Sequence, residues 1–70
     1  MKKRISIIGG GVSGLGAALL AKSKNNYVFL SDKNQLNNKI KQALKYNNIN
    51  FEEGRHSDTL FSSDLIIKSP

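Results

Sequence analysis

Six residues near the amino end, Gly9-Gly10-Gly11-Val12-Ser13-Gly14, have the composition of a loop that holds an anion. Glycines at 9, 11 and 14 satisfy G-x-G-x-x-G, in which each glycine has its own task. Gly9 permits a tight turn, and Gly11 lets a ligand reach the backbone. Gly14, with Gly16 beyond it, lets the following helix lie close on a sheet. A helix opening at this point aims free N–H groups and its positive dipole end at an anion, normally phosphate. The Ser13 hydroxyl can add a donor. Asp32 is the second element. It follows Gly14 by 18 residues, near the spacing of about 20 at which such folds place a carboxylate against a nucleoside. There it can accept from ribose hydroxyls or from base N–H groups. It can equally serve as a turn or capping aspartate ahead of a helix, and the two roles can coexist.

No other residues form a reactive set by sequence. His56 is the single histidine, with no cysteine or paired carboxylate beside it, and reads as a loop residue. Ser57, Ser62, Ser63 and Ser69 lack an evident base. Glu52 and Glu53 are neighbours on an expected strand and should point to opposite faces. With no cysteine and no Gly-Lys-Ser/Thr phosphate loop, the chain offers no catalytic residue and no metal site of its own.

The elements that must position Gly9–Gly14 and Asp32 follow from periodicity. Arg4 to Ile8 reads as a short buried parallel strand. From Val12 to about Lys24 the pattern turns helical, with Val12, Leu15, Gly16 and Leu19 on one face. Asn25-Asn26 leads into a strand from Tyr27 to Ser31. A second helix is expected from Gln35 to Tyr46, with Leu36, Ile40, Ala43 and Leu44 as its apolar stripe, closed by Asn47-Asn48. Ile49 to Glu52 is a weak third strand, Gly54 opens a polar connection holding Leu60-Phe61, and Leu65 to Lys68 reads as a buried-type fourth strand. Strands alternating with helices predict an α/β fold, a Rossmann-like doubly wound parallel sheet of order 3-2-1-4.

Composition sets the bounds. Seventy residues make one small domain without disulfide support. The chain stops at Ser69-Pro70, directly after an apolar run, which predicts residues 1–70 to be an incomplete amino-terminal domain of a longer protein. The net charge of +6 is uneven: residues 1–50 carry nine Lys/Arg against Asp32 alone. Lys39, Lys41 and Lys45 alternate with apolar positions as a solvated helix face does. No aromatic interleaving or nucleic-acid motif accompanies them, so no nucleic-acid partner is expected. Ile5 to Ile8 is too short for a signal peptide, and no apolar run approaches the roughly 20 residues of a membrane span. A cytoplasmic, membrane-free protein is the expectation.

Three stretches carry a family resemblance: IIGGGVSGLGAALLAK, FLSDKN and FEEGRHSDTLFSSDLIIKSP. Together they resemble the amino terminus of the UDP-N-acetylmuramoyl-L-alanine:D-glutamate ligases, a branch of the Mur ligases of peptidoglycan synthesis and cell-wall growth. The resemblance covers nearly the whole chain, and the ending SDLIIKSP is its most specific part. It implies a three-domain, ADP-forming amide ligase. The first domain holds the UDP part of UDP-N-acetylmuramoyl-L-alanine, a central one binds ATP and Mg2+, and a third receives D-glutamate. ATP and Mg2+ sites would then lie outside this chain, and residues 1–70 alone would be inactive. Carried over by position, Val12 and Ser13 resemble the loop residues beside the nucleotide, Asp32 the uracil-recognising carboxylate, and Lys33 and Asn34 its flanking contacts. Family members vary at those last two positions. The Mur ligase that adds L-alanine shares the glycine loop and the Ser-Asp, but usually not the Lys68-Ser69-Pro70 ending. Two other readings stay open: the start of an NAD- or FAD-binding oxidoreductase, and a nucleotide-sensing regulatory module of the kind found on potassium transport systems.

Overall fold

A computed structural model of the chain describes residues 2–69; Met1 and Pro70, the last residue of the Ser-Pro ending, lie outside the described residues. Four strands, β1 (Arg4–Ile8), β2 (Tyr27–Asp32), β3 (Asn50–Glu53) and β4 (Leu65–Lys68), form one sheet. All neighbours pair in parallel, in the order β3-β2-β1-β4. Two helices, α1 (Val12–Ser23) and α2 (Asn38–Tyr46), connect the first three strands, and a 3-10 turn (Asp58–Ser62) precedes β4. The expected α/β sheet and its 3-2-1-4 order are therefore present.

Register sets the two faces of the sheet. Ile5 pairs with Val28 and Ile7 with Leu30; these four join Ala18 and Ala21 of α1 and Leu44 of α2 in one buried cluster. Both helices thus cover the same face. The other face carries Ser6 and Ser31, both buried, and Leu60 of the 3-10 turn is buried as well. Ser6 and Ser63 hydroxyls bond there. Two asparagines end the helices as expected. Asn25 (φ 64°) and Asn48 (φ 57°) adopt the left-handed conformation that asparagine tolerates after a helix. After α2, Asn48 N–H donates to Lys45 O and Ile49 N–H to Leu44 O, and Ile49 packs with Leu44 in the core. That is the double-bonded C-terminal cap with its hydrophobic contact.

Several details depart from the sequence reading. The face of α1 that meets the sheet is Gly14, Ala18 and Ala21, not Val12, Leu15, Gly16 and Leu19. Val12 is 84% exposed, while Leu15 and Leu19 flank the core. The helix is apolar around most of its girth, so periodicity does not choose a face. Close approach does, and it selects the smallest residues. Gly16 contributes nothing to that approach: a Cβ there would meet open space. α2 starts at Asn38 rather than Gln35, because the Asn37 side chain caps it by accepting Lys39 N–H at 2.7 Å. Leu36 is left outside the helix, yet buried. β2 runs on to Asp32, and β3 occupies Asn50–Glu53, one residue later than expected. β4 is less buried than its composition suggests, with Leu65 and Ile66 exposed. Among the described residues it stands at an edge of the sheet, paired with β1 alone.

Candidate nucleotide-binding site

The carboxyl ends of β1 and β2 open beside each other, as their pairing at Ile8 and Ser31 requires. Gly9 leaves β1 with φ 105°, a conformation that other residues rarely adopt, and its N–H donates to Ser31 O at 2.8 Å. Gly11 is the N-cap of α1 and brings no side-chain cap. No side chain therefore caps the first-turn N–H groups of the helix, which is the arrangement that suits an anion.

Asp32 ties this loop to the next. Its Oδ2 accepts Gly10 N–H at 2.8 Å and its Oδ1 accepts Asn34 N–H at 2.9 Å. The second bond closes an Asx turn, so Asp32 is a turn aspartate and leaves helix capping to Asn37. The Asn34 N–H, and beyond it the Gly10 N–H, hold its carboxyl below the ordinary carboxylate range against the opposing effect of burial. An ionised carboxylate offers about four acceptor positions, so two backbone bonds leave capacity for a ligand.

These elements enclose a cleft of about 520 Å³. Of the residues singled out by sequence, Gly11, Val12, Asp32 and Asn34 line it. Ser13 and Lys33 are exposed beside it but do not line it. Gly9 and Gly14 stand behind the loop: a Cβ on Gly14 would fall 1.8 Å from Gly9 O, and one on Gly9 would press on Ser69 Cβ. Sequence reasoning missed the other six lining residues, among them Gly10, Leu36 and Ile40. Gly10 occupies a free position of the motif, yet a Cβ there would collide with Leu36 Cδ2 at 2.1 Å. The run of three glycines was the available signal. A second cleft, about 440 Å³, opens at the amino ends of the strands beside Tyr27, Phe29 and Asn50. It contains none of the motif residues, and ligands of open α/β sheets bind at the carboxyl ends.

Two further carboxylates fix the surrounding loops, on opposite faces as expected. Glu53 Oε1 accepts Leu36 N–H at 2.8 Å, and its Oε2 meets Lys41 Nζ at 2.6 Å. Glu52 accepts Ser31 Oγ–H at 2.7 Å and Ser57 N–H at 2.8 Å. Lys41 lowers the Glu53 pKa, assisted by Leu36 N–H. Burial raises that of Glu52, but the Ser57 and Ser31 donors outweigh it and the net direction is down. His56, expected to lack partners, lies 2.6 Å through Nδ1 from Ser31 Oγ.

With Asp32, Glu52 and Glu53 all depressed, the unfolded chain binds more protons than the folded one around and below the ordinary carboxylate pKa of ~4. Their stabilisation is complete above that value and is lost as pH falls through the folded pKa values. Urea midpoints should accordingly drop between pH 5 and pH 3.5. A midpoint that holds across that interval would mean these contacts are not kept in solution.

Gly11 offers a separate test. A Cβ on it meets nothing within 4 Å, so the protein itself has room for a side chain there. Gly11→Val should change stability by no more than about 1 kcal/mol, the scale of an N-cap substitution. Nucleotide affinity should fall more than tenfold, that is by more than about 1.4 kcal/mol. Calorimetric titration beside thermal unfolding separates the two, and unchanged affinity would reduce Gly11 to a turn residue.

A family model described as the MurD N-terminal domain matches residues 4–70. The chain belongs to that family. Its relatives include a UDP-N-acetylmuramoylalanine–D-glutamate ligase from Christiangramia forsetii, 45% identical over 71 residues and covering 100% of this chain and 16% of the relative. A protein of the same description from Bacteroides fragilis is 45% identical over 69 residues, 97% of the chain and 16% of the relative. One from Chlorobium chlorochromatii is 35% identical over 68 residues, 97% and 15%. The chain thus spans about one-sixth of the length of these MurD relatives. No helix among the described residues is long and apolar enough to cross a membrane.

Proposed function

We propose that this chain is the domain that holds the uridine diphosphate part of UDP-N-acetylmuramoyl-L-alanine, in a cytoplasmic, ATP-dependent ligase that adds D-glutamate to it. The observation that carries the reading is the cleft that joins the uncapped first turn of α1 to Asp32. In this reading the diphosphate lies near the first-turn N–H groups, with Val12 and Ser13 beside the nucleotide. Asp32 accepts the uracil N3–H, with Lys33 and Asn34 flanking it. Leu36 and Ile40 give the planar base an apolar wall. An Asp already ionised and already fixed by two backbone donors meets the base without reorganising.

The chemistry of such a ligase, activation of the alanyl carboxylate by ATP and attack by the D-glutamate amine, needs ATP and Mg2+. The described residues do not fit that pair. No group of three His, Cys, Asp or Glu among them could hold a metal, and the chain has no Gly-Lys-Ser/Thr loop. No step is assigned to this chain beyond binding and orienting the UDP substrate.

Titration of the full-length protein with UDP, UDP-N-acetylmuramoyl-L-alanine, NADH and FAD tests the reading. Saturable binding of the uridine ligands and none of the dinucleotides is expected. Tight NADH or FAD binding with no response to UDP would overturn it in favour of an oxidoreductase.

A further inference from the structure

Ser31 and Asp32 are consecutive on β2 and point to opposite faces of the sheet, so any rotation of the strand end moves both. Asp32 faces the cleft. Ser31 is fully buried on the other side, where it meets Glu52 Oε2 at 2.7 Å, His56 Nδ1 at 2.6 Å and Arg55 O at 3.2 Å. One hydroxyl carries one proton, and an ionised carboxylate can only accept. The proton must lie toward Glu52, since two lone-pair-bearing oxygens at that distance would otherwise repel. Ser31 Oγ then accepts, and the donor is His56 Nδ1–H. The order of donation is His56 to Ser31 to Glu52. The proton of Ser31 is thus committed to Glu52 and one of its two lone pairs to His56.

The same turn is bound to the site on its other side. Arg55 N–H donates to Asp32 O and Gly54 N–H to Asn34 O, both at 3.3 Å, while Ser31 O receives Gly9 N–H. The end of β2 is thereby held between the glycine loop and the turn after β3. Ser57 N–H also anchors the turn on Glu52 at 2.8 Å, and His56 adds the one side-chain bond from the turn to the buried Ser31 hydroxyl.

We propose that His56, acting through Ser31, is a positioning residue that sets the orientation of Asp32 toward the nucleotide base. The inference rests on the proposed uridine-binding function and adds to it a residue outside the cleft. His56 is exposed and does not line the cleft, and its hydrogen-bonded link to the strand that carries Asp32 runs through Ser31.

The test uses the full-length protein with His56→Ala, His56→Asn and His56→Gln. The Asn amide places its N–H close to where Nδ1–H stood, whereas Gln carries it one bond farther. The Ala and Gln variants should raise KM for UDP-N-acetylmuramoyl-L-alanine about threefold to tenfold, the scale of one lost hydrogen bond. The kcat and the KM for ATP should stay unchanged, and Asn should restore the wild-type value. Such rescue is not expected of a residue that merely packs. Wild-type KM in all three variants, equal damage in Asn and Ala, or a fall in kcat alone would overturn the proposal while leaving the function intact. Absence of any UDP binding by the wild type would overturn both.

Discussion

Asp32→Asn is expected to weaken binding of the UDP substrate roughly tenfold to a hundredfold, the ~1.5–3 kcal/mol of a charge-assisted hydrogen bond, and to leave ATP affinity unchanged. The substitution keeps the size of the side chain but replaces one acceptor oxygen with a donor. Because Oδ2 and Oδ1 also accept Gly10 N–H and Asn34 N–H, the variant necessarily turns one donor against another and loosens the turn. Direct base recognition is separated from that effect by a ligand bearing a methyl group on uracil N3. In the wild type the methyl group should remove most of the affinity that Asp32 contributes. In Asp32→Asn it should cost little more, because the partner is already gone. The difference between the two losses is the coupling between residue and base. Equal losses in both proteins would make Asp32 a turn residue only.

The second large effect concerns α1. A Cβ on Gly14 would lie 1.8 Å from Gly9 O and 2.9 Å from Gly9 C, both backbone atoms of the loop that the helix must contact. No rotamer relieves that clash, so Gly14→Ala must shift the helix or the turn. A cost of about 1–3 kcal/mol is expected, which for a domain of this size corresponds to a melting temperature lower by about 4–8 °C per kcal/mol. Gly16→Ala is its control, two residues along the same helix. With open space around it, the added methyl group should stabilise by about 0.5–1 kcal/mol. Opposite signs from one chemical change would establish that Gly14 is there for packing. A similar response at both positions would contradict the packing geometry of α1.

The glycine loop and Asp32 were legible in the sequence because each requirement acts on a residue type. Only glycine adopts the Gly9 backbone with ease, and only a small set of residues presents an acceptor at the end of β2. The sheet order was legible from the alternation of strands and helices. The face of α1 was not, since apolar residues surround that helix and the deciding quantity, the distance to the sheet, has no period. Leu36 was misplaced for a related reason. It fits the α2 stripe at i and i+4 with Ile40, but Asn37 is the better cap, and the leucine instead fills the space above Gly10. The His56–Ser31–Glu52 relay was hidden most completely. Its members come from two strands and a turn, separated by 21 and 25 positions from Ser31. A serine in a strand carries no mark of being buried between a carboxylate and an imidazole.

The most direct measurement is the structure of the full-length protein with UDP bound. The uracil N3 should lie within about 2.7–3.2 Å of an Asp32 carboxylate oxygen, with the diphosphate against the first turn of α1 near Gly11 and Ser13. A base seated elsewhere, with Asp32 contacting only ribose hydroxyls or solvent, would contradict the assignment of this cleft as a uridine-reading site.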